Sequence, residues 1–228
     1  MKTILTLTLL LAALLAEAQT TTNSYTLSYT LTPNTAITDG SPVGVTEQFT
    51  VSGLGGAIAD IQIQLDLTGG FNGDLYAYLV GPQGQMAVLL NRLGVTGSNP
   101  FGYGNAGLNI TLDSSSANIH GYGSGYSTNG LGQVTGTWGA DGRNIEPQSL
   151  GTVFDSAATT SNLNLFQDGN GNGVWTFFIA DLSGGGGTAN LNSVILNIMT
   201  VPEPQTWVML GGGVALFCLC RNRRIFRS

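Results

Sequence analysis

Lysine is absent after Lys2, histidine occurs once, and both cysteines, Cys218 and Cys220, lie in an apolar stretch at the C-terminal end. Each scarcity excludes a class of function. Between residues 19 and 200 only Arg92 and Arg143 are basic, against eleven acidic residues, a net of −9. Such a body cannot hold a phosphate backbone by counterion release, so nucleic acid is excluded as a partner. Without lysine there is no phosphate loop of the Gly-x-x-x-x-Gly-Lys type. One histidine rules out a histidine metal cluster. There is no Gly-x-Ser-x-Gly elbow either, so a serine triad has neither its base in place nor its nucleophile. His120, in Asn118-Ile119-His120-Gly121-Tyr122-Gly123, reads as a solvated loop histidine. A body free of cysteine is not a disulfide-stapled scaffold. The Cys-x-Cys pair reads as filler of its apolar segment, with lipidation or redox use as the alternative. Between residues 20 and 200 no long run of 3.6 period appears, and no repeat of solenoid or propeller spacing. No catalytic set emerges. Eleven acids offer many carboxylate pairs of the kind glycosidases use, but they read as solvated loop acids and turn residues.

What the chain does have is glycine, 34 of 228 residues, and short apolar runs. An acidic, lysine-free body suits solubility outside a cell, or cations such as calcium.

The two ends differ from the body. After Met1-Lys2 an apolar run from Ile4 to Ala16 leads to the small-x-small triplet Ala16-Glu17-Ala18, the pattern of a secretory signal helix over residues 1–18, cut between Ala18 and Gln19. At the other end Val201-Pro202-Glu203-Pro204 precedes an apolar stretch from Trp207 to Cys220, and then Arg221, Arg223 and Arg224. The stretch is shorter than the ~20 residues of a full span. Its flanks still favour a single transmembrane helix over about residues 207–220. Trp207 sits as an interfacial aromatic, and the arginines hold their end on the cytoplasmic side. Gly211, Gly212 and Gly213 are tolerated in lipid.

Proline–acid–proline, a short apolar helix and an arginine cluster, in that order at the extreme C-terminus, resemble the PEP-CTERM sorting tail. The resemblance implies residence in the inner membrane until an exosortase cuts near Pro202-Glu203-Pro204, and then a place at the cell surface or outside. It also implies a Gram-negative environmental bacterium that makes exopolysaccharide. A simple C-terminal anchor behind a stiff linker is the alternative.

Strand-like runs appear at Tyr25–Leu31, Val45–Val51, Ile58–Leu67, Asp74–Val80, Met86–Leu90, Leu108–Leu112, Val174–Leu182 and Leu191–Met199. Ile61-x-Ile63-x-Leu65-x-Leu67 has the period of two that marks a strand with one buried face. Many short strands with turn signals argue for an all-β sandwich. Residues 97–142, rich in Gly, Tyr, Ser and Asn, read as long loops with at most a hairpin. The expected organisation is a strand or linker over 19–44, a sandwich over 45–199 and the tail over 201–228.

Two segments carry a second resemblance. Ile61 to Gly84 runs from a strand through Gly73-Asp74-Leu75 to a second strand and a Pro82-x-Gly84 turn, with Val88-Leu89-Leu90 following. Asn172-Gly173-Val174-Trp175 opens a strand that ends at Asp181, ahead of a Gly-rich loop and a final strand from Leu191 to Ile198. In this order they resemble the P domain (P/Homo B domain) of the proprotein convertases. The middle of the chain matches poorly. The resemblance implies a jelly-roll β-sandwich of the galactose-binding-like type. In the convertases that domain accompanies a subtilisin-like serine endopeptidase domain, which this sequence does not contain. A secreted protease partner is therefore an expectation, and a catalytic activity is not.

Three sets of residues are candidate sites. Asp168-Gly169-Asn170-Gly171-Asn172-Gly173 spaces oxygen side chains like the start of an EF-hand loop, but Ile179 stands where the bidentate Glu belongs. It reads as an Asx-Gly turn, with calcium as the alternative. Asp74 and Asp181, at strand boundaries that match acidic positions of the family, either share an ion or cap loops through backbone N–H groups. Tyr103, Tyr122, Tyr126 and Trp138 lie among Gly-rich loops. They either pin those loops to the sandwich or stack on sugar rings of a glycan such as exopolysaccharide. Trp175, at the start of an apolar strand, is read as core.

Overall fold

The computed structural model describes residues 25–123 and 125–201. The signal residues Ala16, Ala18 and Gln19 lie outside the described residues. So do Pro202, Glu203, Pro204, Trp207, Gly211, Gly212, Gly213, Arg221, Arg223 and Arg224 of the tail.

Within the unit Tyr25–Thr200, alternation of apolar and polar side chains builds the strands and polar, Gly-rich segments end them. In β4 (Ala57–Thr68), Ile61, Ile63, Leu65 and Leu67 point inward, while Gln62, Gln64 and Asp66 point out. In β11 (Ala189–Val201), Leu191, Val194, Leu196 and Ile198 are buried. The alternation slips by one residue at Asn192–Ser193, as a bulge would make it do. β5 (Leu75–Val80) buries Leu75, Ala77 and Leu79, and β10 (Gly173–Asp181) buries Trp175, Phe177 and Ile179.

The remaining strands are β1 (Tyr25–Leu31), β2 (Thr35–Ile37), β3 (Ser41–Val51), β6 (Met86–Asn91), β7 (Leu108–Asn118), β8 (Ser127–Thr128) and β9 (Val134–Gly139). They form two sheets. The first has the order β1-β11-β4-β7-β9-β8, with β2 also on β11, and the second has the order β3-β10-β5-β6. β1 and β2 pair antiparallel with β11, β4 with β7, β8 with β9, β3 and β5 with β10, and β5 with β6, whereas β7 and β9 run parallel. The buried side chains of both sheets merge into one core, so the described residues form a β-sandwich. Fully burying a Leu, Ile or Phe side chain contributes roughly 1.5–3 kcal/mol. With no disulfide among the described residues, that core is the main source of stability.

The sandwich differs from the sequence expectation at two places. Residues 25–44, expected as an N-terminal strand or linker ahead of the sandwich, supply β1 at the strand-like run Tyr25–Leu31, and also β2 and the start of β3, and β1 joins the sandwich by pairing with β11 along its whole length. Residues 97–142, expected as long loops with at most a hairpin around the strand-like run Leu108–Leu112, contain β7, which starts on that run and continues to Asn118, and also β8 and β9. Gly136, at φ 114°, sits inside β9 and breaks its apolar pattern, so pairing with β7 holds the strand where alternation does not announce it. One helical turn, α1 (Gly151–Ser156), packs Phe154 into the interior. Among the described residues no helix is long and apolar enough to cross a membrane.

Candidate functional site

Three clusters collect the polar and aromatic side chains that could do chemistry. The first is an acidic corner where β10 ends. Asp181 lies opposite Leu75 of β5 and Ser41 of β3, beside an irregularity in the β10–β3 register. The chain closes the corner with a bond from Leu182 N–H to the Asp74 carbonyl at 2.9 Å. Asp39, in the turn after β2, accepts Gly185 N–H at 3.1 Å. Arg92 approaches Asp74 at 3.6 Å and donates through Nε to the Gly73 carbonyl at 3.1 Å. Asp181 accepts backbone N–H bonds from Ser183, at 3.4 Å, and from Gly40. Its other carboxylate oxygen, Oδ2, is buried and has no partner.

Burial therefore pushes the Asp181 carboxyl up to about 6, against the two N–H bonds and helped by the charges of Asp74 and Asp39. Asp74 is also raised by burial, a rise limited by Arg92 and a hydrogen bond from the Ser183 side chain. The structure thus brings Asp74 and Asp181 together. It gives Asp181 the loop-capping bonds and adds Asp39, Arg92 and Ser183, which sequence reasoning missed. Asp39 is distant in sequence from both acids, Ser183 follows Asp181 by two residues, and both belong to turns, where Asp and Ser are too common to stand out.

The second cluster is the Asp168–Gly173 turn. Asp168 adopts φ 60°, its N–H bonds the Ile58 carbonyl at 2.9 Å, and Ile58 N–H bonds the Gly169 carbonyl at 3.0 Å. Asn170 Oδ1 accepts from Asn172 N–H at 3.0 Å and from Asn172 Nδ2 at 2.9 Å. Asn172 clasps Leu54 with both ends of its amide, accepting its N–H at 2.9 Å and donating to its carbonyl at 3.0 Å. The Trp175 indole donates to the Gly171 carbonyl at 2.8 Å, and its ring packs edge-on against Phe166. Both amide oxygens thus serve protein N–H groups, and the segment works as a brace between the 52–56 loop and β10. Among the described residues no three His, Cys, Asp or Glu side chains converge as a metal site.

The third cluster gathers the loop aromatics. Tyr122 is buried, with Tyr103 at 4.3 Å, Tyr126 at 5.2 Å and Trp138 at 6.2 Å between ring centroids. Asn72 Nδ2 donates to the Tyr122 hydroxyl at 3.3 Å, which donates to Asn105 Oδ1 at 3.2 Å, and Asn105 Nδ2 donates to the Tyr126 hydroxyl at 2.8 Å. The Trp138 indole donates to the Thr135 carbonyl at 3.2 Å. Burial pushes the Tyr122 hydroxyl up to about 12, which keeps it a neutral donor. Tyr122 has no free ring face for a sugar. Tyr103, Tyr126 and Trp138 are half-buried against the core. Asn72 and Asn105, which link the hydroxyls, gave no signal in the sequence.

His120 corrects an expectation. It is buried, 4% exposed, not solvated. Nδ1 lies 2.8 Å from Asp141 Oδ2, Nε2 lies 3.0 Å from the Val95 carbonyl, and the ring stacks on Phe154. Asp141 Oδ1 accepts from Arg143 at 3.0 Å, and Oδ2 also accepts Asn91 N–H at 3.2 Å. The His–Asp pair has the outline of a triad, but a backbone carbonyl occupies the nitrogen that would face a nucleophile. It ties the 93–97 and 140–143 segments to the end of β7.

No family model and no curated protein matches the chain. Among solved structures it is similar to the serine protease of Aeromonas sobria. For that protease in complex with its chaperone, identity is 15% and the TM-score 0.45, over 84% of this chain. For the protease alone, the values are 14% and 0.45, over 82% of this chain. The chain spans 29% of the length of that protein. At these values no activity or partner transfers.

Proposed function

We propose that the chain is an exported surface or matrix protein, cut by an exosortase, whose non-catalytic β-sandwich serves structure or adhesion in an exopolysaccharide or biofilm setting. The observation that carries the proposal is the tail: the final strand of the sandwich ends at Val201, where Pro202-Glu203-Pro204 begins. A proline has no N–H to donate to a sheet. That residue suits a junction between folded body and enzyme substrate. The signal triplet Ala16-Glu17-Ala18 supports export, and a cysteine-free, compact β-body suits the exterior. The exosortase is then the processing partner, at the inner membrane, before release to the cell surface.

In this reading the sandwich is a jelly roll of the galactose-binding-like, P/Homo B type. Its two resembling segments support that assignment. Gly73-Asp74-Leu75 leads from a turn into β5, Trp175 lies in β10, and these two strands are neighbours. The test is the intact mass of protein recovered from the cell surface. It should lack residues 1–18 and end near Pro202–Pro204. A chain recovered with both ends uncut overturns the proposal.

A second reading is a glycan- or protein-binding module, calcium-dependent in one form, or an accessory to a secreted subtilisin-like serine endopeptidase. The half-buried Tyr103, Tyr126 and Trp138 favour the first form, and the paired P-domain-like strands favour the last. A glycan array on residues 19–200, with and without chelator, and co-purification of a protease from the culture separate the two.

A further inference from the structure

We propose that the acidic corner at the end of β10 is a proton-linked latch, in which one proton on Asp181 closes the 182–188 segment and the 38–40 turn onto the sandwich. The ligand class follows from the geometry. Of the corner's three carboxylates, Asp74 has Arg92 within 3.6 Å and Asp39 is held by Gly185 N–H. Asp181 alone is wholly buried with an oxygen, Oδ2, that nothing contacts through a hydrogen bond. An orphaned buried oxygen of this kind is destabilising, and more so when charged. One proton removes that charge without needing room or further ligands.

The charged groups that act on Asp181 are Asp74, from the turn before β5, and Asp39, from the turn before β3. Both repel its negative form. Arg92, after β6, meets the corner through Asp74. No histidine belongs to the corner, since His120, the chain's one histidine, packs on Phe154 and Asp141.

The same carboxyl accepts from Gly40 and Ser183, so its protonation state is felt by both segments that border it. When Asp181 ionises, the cost of a buried charge facing two like charges is relieved if water enters at Oδ2. The 182–188 segment, with Gly185, Gly186 and Gly187 all at positive φ, is the part whose side chains resist least. The corner is therefore closed below the Asp181 midpoint of about 6 and hydrated above it.

The test is an NMR titration of the Gly40 and Ser183 amide signals in the full chain, from about pH 4 to about pH 8. Both signals should move together with a midpoint near 6. Asp181→Asn should abolish that movement. Asp39→Asn, which removes a repelling charge and leaves Asp181 in place, should lower the midpoint. It keeps the proposal testable if Asp181→Asn does not fold. Static amide signals across this range overturn the proposal, as does a transition that persists in Asp181→Asn. So does a midpoint that shifts with added calcium at fixed ionic strength, which would make the corner a metal site.

Discussion

Tyr25, the first residue of β1, is the register partner of Thr200, next to last in β11. The chain therefore enters and leaves the sandwich at one place, and the buried core falls between Ile37 and Ile198. The acidic corner lies toward the other end of β11, because Asp39 follows β2 and β2 pairs with Ala189–Leu191.

From this closure comes the first prediction. A protein of residues 19–201, lacking both end segments, folds by itself. Its far-ultraviolet circular dichroism should be that of β structure, with one cooperative thermal transition. A helix-dominated spectrum, or a broad non-cooperative melt, would mean that the core needs the ends.

The second prediction concerns the buried polar centre around Asp141. Removing it leaves Arg143, His120 and the Asn91 N–H without their shared acceptor. Breaking such a buried pair from one side costs ~3–5 kcal/mol. Asp141→Ala should therefore lose stability on this scale in urea unfolding. Arg143→Ala should lose less, because Arg143 is partly exposed and Asp141 keeps His120 and Asn91. Equal small losses from both substitutions would show that the centre is not structural.

The strands were legible where burial on one face writes a period of two, as in Ile61 to Leu67 of β4 and Leu75 to Leu79 of β5. They were illegible where backbone pairing alone holds them. β9 carries Gly136 and exposed Thr137, and β8 is two exposed residues, so neither has an apolar signature. The site residues divide the same way. Asp74 and Asp181 showed through their motifs. Asp141 is distant in sequence from His120, Asn91 and Val95, and nothing local marks the loop histidine as buried. Tyr122 stands among glycines like Tyr126, yet only the fold puts it beneath its neighbours.

The third prediction tests the brace at the base of β10. Asn172 is the hinge between the 52–56 loop and β10, through two bonds to Leu54. Asn172→Ala leaves both backbone groups of Leu54 unpaired and should cost ~1–3 kcal/mol. Asn172→Asp keeps the acceptor but turns the donor into an oxygen facing the Leu54 carbonyl, so it should be at least as damaging. Thermal unfolding measures both. A calcium site using Asn172 would instead make the Asp form the more stable in calcium, and that result would reassign the turn.

The last prediction uses a second acid whose response to pH has the opposite sign to that of Asp181. Burial pushes the Asp113 carboxyl up, but hydrogen bonds from Ser116 and Ser115 outweigh it and hold the group below its usual value. Oδ1 accepts Ser116 N–H at 2.7 Å and Ser115 N–H at 3.0 Å, and Oδ2 accepts the Ser116 hydroxyl at 2.7 Å. These bonds favour the ionised form, so the folded chain releases this proton more readily than the unfolded chain does. Asp113 thus contributes stability that is fully present above the ordinary carboxylate value and is lost as pH falls through its lowered folded value. Asp181, raised in the fold, contributes stability that is present in acid and lost as pH rises through about 6. Unfolding free energies measured against pH should separate the two. Asp113→Asn should be less stable than the parent at neutral pH and converge with it in acid. Asp181→Asn should be more stable than the parent at neutral pH, and that advantage should shrink below the midpoint. If Asp113→Asn keeps a constant deficit down to the lowest pH, the three-residue turn at Asp113 is held by shape and not by charge.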